Sequence, residues 1–395
     1  RDEIRRNEYN LNIPRYVDSS EAPVKYDIYS TMFGGIPNSE IADLGKYWDA
    51  FPTLQGEVFS PEIDRPYSQI KVDDVLESIN ANADVQEFKV RFNTAFEDLK
   101  RVLRIRLIDN VEQVKEVVES DIISANIFAR AEGLPLIDKY AAYQILADNW
   151  QGIMGDVEII QTEGFGACNV VEPKTKMVKD KNGVEQEVED GLKGRIIPFE
   201  LVQKTLFQDE LDAIAALHSR VEAIDGELDA IREELLGMED TDKYFDAEKE
   251  NAFIKKEITT DSKPKADVED EIKEQLKAIV ALWDEQSAKK KQIVKDLLAL
   301  QKKTIETIQG LDMKGINQFL ELKWIIPITS AIEAMPDVVI SKLGDTITAL
   351  NEKYAVTFDE IETNISKSEQ SLATLISQLT GDEYAIKGLS NLIKK

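Results

Sequence analysis

One histidine, His218, and one cysteine, Cys168, are all that a chain of 395 residues offers to imidazole or thiolate chemistry. A zinc site needs three or four such ligands together, and a serine or cysteine nucleophile needs a histidine base within reach, so neither centre can be built from this pair. His218 follows Leu217 inside a helical repeat and reads as a surface residue. The acid pairs Glu233–Glu234 and Asp240 with Asp242 gather negative charge but lack the ligand spacing of a calcium loop, which leaves them as solvated charge. Glu163-Gly164-Phe165-Gly166-Ala167-Cys168-Asn169 carries glycines, as a cofactor loop does. Their spacing is wrong and a strand-like run follows where a helix should begin, so the segment reads as a hairpin bend.

Basic residues offer a different chemistry. Lys89, Arg91, Lys100, Arg101, Arg104 and Arg106 cluster within one expected helix, and Lys289, Lys290, Lys291, Lys295, Lys302 and Lys303 along another. Such stripes either face phosphates or lie solvated beside acids. Arg91, Lys100, Arg101 and Arg104 are the candidates for contact with DNA phosphate. The net charge of −27 works against them, because a surface this acidic repels a polyanion.

The elements that would position these groups are mostly helical. Charged residues make up 31% and hydrophobic residues 43%, the balance of a helical globular chain long enough for two to three domains. No apolar run approaches the roughly 20 residues of a membrane span, so a bilayer is not an expected partner. A single cysteine excludes an internal disulfide and fits a reducing cytoplasm.

Residues 1–70 carry prolines at 14, 23, 37, 52, 61 and 66 and read as an extended strap with short helical turns, whose aromatics Tyr26, Tyr29, Phe33, Tyr47, Trp48, Phe51 and Phe59 need a surface. Residues 71–155 turn helical: Phe88, Phe92, Phe96, Leu99 and Leu103 fall on one helix face. Val111, Val114, Val117 and Val118 continue a similar stripe, and a further helix is expected from about Leu136 to Trp150. Residues 156–202 are β-compatible at Asp156–Thr162, Asn169–Val178 and Val184–Val188, with Lys181-Asn182-Gly183 as the turn of a hairpin. A small antiparallel sheet inserted in a helical protein is expected there.

Residues 203–395 carry the strongest pattern. Leu211, Ile214, Leu217, Val221, Ile224, Leu228, Ile231 and Leu235 recur almost without interruption at three and four, the spacing of a coiled-coil seam. A second seam runs through Ile347, Leu350, Tyr354, Phe358, Ile361, Ile365, Ser368, Leu372, Leu375 and Leu379. A polar linker near 239–264 and a long helix through Leu276, Ile293 and Leu300 lie between them. The simplest burial pairs the first and last helices antiparallel. Each seam has three uses: core within the chain, a homodimer contact, or a rod on which another protein docks.

Near the start, Asn7-Glu8-Tyr9-Asn10-Leu11-Asn12-Ile13-Pro14-Arg15-Tyr16-Val17-Asp18 closely resembles the segment that closes the catalytic domain of modification subunits of type I DNA restriction–modification systems. Gly45–Pro52, Gly191–Val202, Phe319–Trp324, Ala349–Ala355 and Leu379–Ser390 are similar to the long C-terminal extension of that family. The resemblance implies a parent that methylates adenine N6 in DNA with S-adenosylmethionine. Its base-holding Asn-Pro-Pro-Phe/Tyr turn is absent, since no two prolines are adjacent here, and the chain opens at Arg1. The expectation is therefore a C-terminal piece with no catalytic residue, metal or cofactor site of its own.

On that resemblance, Asn10, Asn12, Pro14, Arg15 and Tyr16 fasten the region to the catalytic part of the subunit. The seams, through Leu211, Leu217, Ile224, Leu228 and Ile231 and through Leu350, Phe358, Ile361, Ile365 and Leu372, meet the specificity subunit or a second modification subunit. The restriction subunit is a further implied partner, and DNA is reached only through the complex. A free-standing helical coiled-coil scaffold unrelated to DNA modification is the alternative. The fold class expected in either case is mainly α, with long antiparallel coiled-coil helices and a small inserted β-hairpin.

Overall fold

The computed structural model describes residues 25–179, 185–246 and 252–378, together with Arg5, Tyr384 and Gly388. In chain order come α1 (Ile28–Phe33), β1 (Ile36–Pro37), α2 (Asn38–Ala42), α3 (Gly45–Ala50), α4 (Leu54–Val58), β2 (Phe59–Pro61) and β3 (Tyr67–Ile70). Then follow α5 (Val75–Ala81), α6 (Ala83–Phe96), α7 (Leu99–Arg104), α8 (Glu116–Ala131), α9 (Lys139–Glu163), β4 (Val171–Lys179) and β5 (Glu185–Gly194). The remainder is α10 (Phe199–Leu206), α11 (Gln208–Leu236), β6 (Phe245–Asp246), β7 (Ala252–Phe253), α12 (Lys255–Asp261), α13 (Asp270–Gln309), α14 (Met313–Leu320), α15 (Ile326–Glu333), α16 (Met335–Lys353) and α17 (Phe358–Ser377). The protein is mainly α, with small antiparallel sheets.

Contacts divide the chain into two units: Arg1–Phe96 with Ala131–Lys139 and Glu333–Lys395, and Glu97–Arg130 with Tyr140–Ile332. In the first unit the strap finds its surface on helices from both ends of the sequence. Tyr47, Phe51 and Phe59 bury with Ile79, Phe88, Ile340, Leu343 and Ile347 in one cluster. Gly344 on α16 lies close to α5: a Cβ there would stand 3.2 Å from Leu76 Cδ1. The strap also pairs with itself, as β3 lies between β1 and β2 in a three-stranded sheet.

In the second unit, α11 lies against α13 rather than against the last helix. Lys303 meets Glu210, Arg220 meets Glu285, and Gln275 meets Glu234, so positions advance along one helix as they recede along the other, and the pair is antiparallel. Ile224, Leu228, Ile272, Leu276 and Ile279 close one stretch of the seam, and Ile214, Val221, Ile293 and Leu300 another. The expected polar linker is partly folded: β6, β7 and α12 bring Tyr244 and Ile258, both fully buried, into the first of these clusters.

Two local expectations are overturned or sharpened. Asp156–Thr162 is helix, the end of α9, where Val157 and Ile160 are buried; burial on one helix face overrides their β preference. The β4–β5 ribbon is present with an irregularity between Pro173 and Thr175, while its Lys181-Asn182-Gly183 turn lies outside the described residues. By length and composition alone, the helical run Met313–Lys353 is apolar enough to cross a membrane, with a mean hydropathy of 1.3. In this fold it carries core residues, among them Trp324, Ile328, Ile340 and Ile347.

Candidate assembly interface

The last helix is set from its first residue. Thr357 is its N-cap: the Glu360 N–H donates to Thr357 Oγ1 at 3.1 Å, and the Thr357 N–H donates to Glu360 Oε2 at 3.4 Å, a reciprocal capping box. Just before it, Lys353 Nζ donates to both Glu40 carboxylate oxygens at 2.9 Å, and Tyr354 Oη donates to Glu40 Oε1 at 2.6 Å. The Asp27 N–H donates to Tyr354 Oη at 3.1 Å. The Ser30 N–H, with the Tyr67 hydroxyl behind it, holds the Asp27 carboxyl below its usual range. Burial pulls Lys353 down, but its bonds to Glu40 and Tyr354 outweigh it and leave the ammonium raised. Gly34, at φ +86°, ends α1 so closely against this corner that a Cβ would meet Thr357 Cγ2 at 3.3 Å.

From this corner α17 presents Phe358, Ile361, Ile365, Leu372 and Leu375 on one face, each between 45% and 61% exposed. These residues follow at three, four, seven and three, the heptad rhythm expected of a seam. A shallow groove runs along Ile361, Asn364, Ile365, Ser368, Glu369 and Leu372. Asp359, Glu360, Glu362 and Glu369 against Lys367 give the helix a net charge of −3. The seam of α11 behaves oppositely. Ile224 and Leu228 are buried, Leu211, Leu217 and Ile231 half-buried, and all of them serve core within the chain. Leu350 packs against the core of the first unit.

The expected phosphate-facing residues fall on two successive helices. Arg91 is exposed on α6, whereas Lys100, Arg101 and Arg104 belong to the next helix, α7. Lys100 pairs with Glu321 at 2.8 Å, Arg101 with Asp98 at 3.0 Å, and Arg104 with Glu321 at 2.6 Å. Hydrogen bonding from Lys100, then from Arg104, keeps the Glu321 carboxyl below its usual range. All three side chains stay at least 44% exposed, so these are surface ion pairs. Asn10, Asn12, Pro14, Arg15 and Tyr16 lie outside the described residues.

Sequence patterns did not reveal a buried polar knot in the second unit. Asp156 on α9 accepts from Lys323 Nζ at 2.5 Å and from Trp324 Nε1 at 2.8 Å, and Lys323 also donates to the Ile196 carbonyl at 2.6 Å. Lys323 and Trp324 sit in a π-helical turn, Glu321–Ile325, between α14 and α15. The signal was an acid placed among Ile153, Val157 and Ile160 on a buried helix face. Cys168 shares this surrounding; burial, and then the Asp156 charge, pushes its thiol up to about 12. Among the described residues no group of three His, Cys, Asp or Glu side chains is placed to hold a metal ion.

The fold and this surface define a mainly α protein with one coiled-coil seam closed internally and a second, on a capped helix, left open. No family model matches the chain, and neither the curated proteins nor the solved structures contain a match to it.

Proposed function

We propose that the chain is the non-catalytic C-terminal assembly region of the modification subunit of a type I DNA restriction–modification system. Its parent would be a cytoplasmic DNA adenine-N6 methyltransferase that uses S-adenosylmethionine, with the chemistry carried by the catalytic part. The observation that carries the reading is α17: large apolar side chains at heptad spacing, open to water, on a helix with its own cap. A contiguous exposed apolar patch is the ordinary mark of a protein-binding surface. The likeness of Asn7–Asp18 to the family supplies the expected partner, the specificity subunit. A net charge of −27 and the internal pairing of Lys100, Arg101 and Arg104 favour reaching DNA through that partner.

Sedimentation of the chain alone, and mixed with the specificity subunit encoded beside it, tests this directly. A mixed complex that dissociates when α17 carries acidic substitutions is expected. A chain that ignores the specificity subunit would overturn the reading.

A further inference from the structure

A second apolar face is open on α13. Trp283, Ser287, Lys290, Lys291 and Val294 line a groove together with Lys255 from α12. Leu297 and Leu298 extend it by a turn and are 45% and 61% exposed, with Val294 at 58%. At one end the groove borders the α11 seam, where Trp283 packs against the first cluster and Gln286 donates to Asp225, and it turns away from that seam at Val294, Leu297 and Leu298. Its border is basic: residues 289–295 read Lys-Lys-Lys-Gln-Ile-Val-Lys, four lysines without an acid. Lys290, Lys291 and Lys295 form no ion pair among the described residues, while most of the arginines described above are engaged. In a chain of net charge −27, this is a concentration of free positive charge beside uncovered hydrocarbon.

We propose that this face receives α17 of a second copy of the chain. The inference rests on reading α17 as an assembly helix and names one partner for it. The two surfaces match in kind, in sign and in length. At 1.5 Å per residue, Phe358 to Leu375 spans about 26 Å, and Trp283 to Leu298 about 22 Å. Two α17 helices facing each other would set −3 against −3, and two α13 faces would set lysines against lysines. Only the crossed arrangement places Glu362 and Glu369 beside Lys290 and Lys291 while burying both apolar stripes. The α17 stripe and, on α13, Val294, Leu297 and Leu298 are open to solvent in the single chain. Two copies that exchange α17 reciprocally form a closed two-fold pair, and each contact is then made twice.

Charge reversal makes the test two-sided. One variant carries Glu362→Lys with Glu369→Lys; the other carries Lys290→Glu with Lys291→Glu. Each faces like charge when paired with itself, whereas an equimolar mixture restores opposite charge at both contacts. Expected by sedimentation is a wild-type dimer, a weakening of at least about tenfold in each variant alone, and recovery in the mixture. With Leu372→Cys on one chain and Val294→Cys on another, an interchain disulfide should form between the two.

A wild-type chain that stays monomeric at micromolar concentration overturns the proposal, as does a mixture of folded variants that does not recover. A disulfide formed within one chain, or between two Leu372→Cys chains, also overturns it. Binding to the specificity subunit is measured on the same samples. If that binding persists without self-association, the assembly reading stands and this inference falls; self-association without that binding has the reverse meaning.

Discussion

Arg220 on α11 and Glu285 on α13 face each other through two parallel hydrogen bonds, Nε to Oε1 at 2.9 Å and Nη2 to Oε2 at 2.8 Å. The fork fixes how far one helix is displaced along the other. It sits at the rim of the seam, where water and salt weaken charge interactions, so it sets register more than stability.

Arg220→Ala should accordingly leave the unfolding midpoint nearly unchanged. Ile224→Ala, four residues along and fully buried, should cost about 2–5 kcal/mol through lost burial and the cavity left behind. Urea denaturation followed by circular dichroism compares the two, and equal losses would contradict the assignment of stability to the seam.

Ile361→Asp combined with Leu372→Asp should preserve helicity, because both side chains are about half exposed in the single chain. The same change should abolish binding to the specificity subunit. A collapse of helicity would show that the α17 face serves as core.

Breaking the buried knot should be costly on one side and mild on both together. Asp156→Ala leaves the half-buried Lys323 and the Trp324 Nε1–H without their acceptor, at a cost of about 1–3 kcal/mol. Asp156→Asn with Lys323→Met removes both charges and should retain most of the stability. Calorimetry of the two variants separates the loss of a pair from the exposure of a charge.

Acid should act first where Glu321 is held by Lys100 and Arg104. Its folded carboxyl binds a proton less readily than the unfolded one. That contribution is complete above about pH 4.3 and is lost as pH falls further. The melting temperature of Glu321→Gln should therefore fall less steeply than that of the wild type between about pH 5 and 3.

The sequence made the helices legible wherever a periodic apolar face persisted. Phe88, Phe92, Phe96, Leu99 and Leu103 are all buried as their spacing predicts, although the helix breaks between Phe96 and Leu99. Spacing alone could not choose partners. The seams of α11 and α17 have the same rhythm, yet only the first is closed, by α13 and by Tyr244, Phe245 and Ile258 packed around it, among the described residues. Val117 and Val118 continue a stripe in sequence but stay exposed in the first turn of α8. The partner of Lys100 and Arg104 was hidden for a related reason: Glu321 stands over 200 residues away in sequence. The Asp27–Glu40–Lys353–Tyr354 corner is equally non-local, joining a loop near the start to the end of α16.

The Thr357–Glu360 cap has a kinetic meaning for whatever meets α17. A helix of 20 residues is marginal in water without neighbours. One whose first turn is tied by a reciprocal cap and rooted in a packed corner reaches an encounter already wound. Coupled folding and binding commonly forfeits about 2–5 kcal/mol to ordering; a prewound rod avoids most of it. The partner then has only side chains to settle, and association can proceed by collision of two formed surfaces rather than by a search through disordered ones.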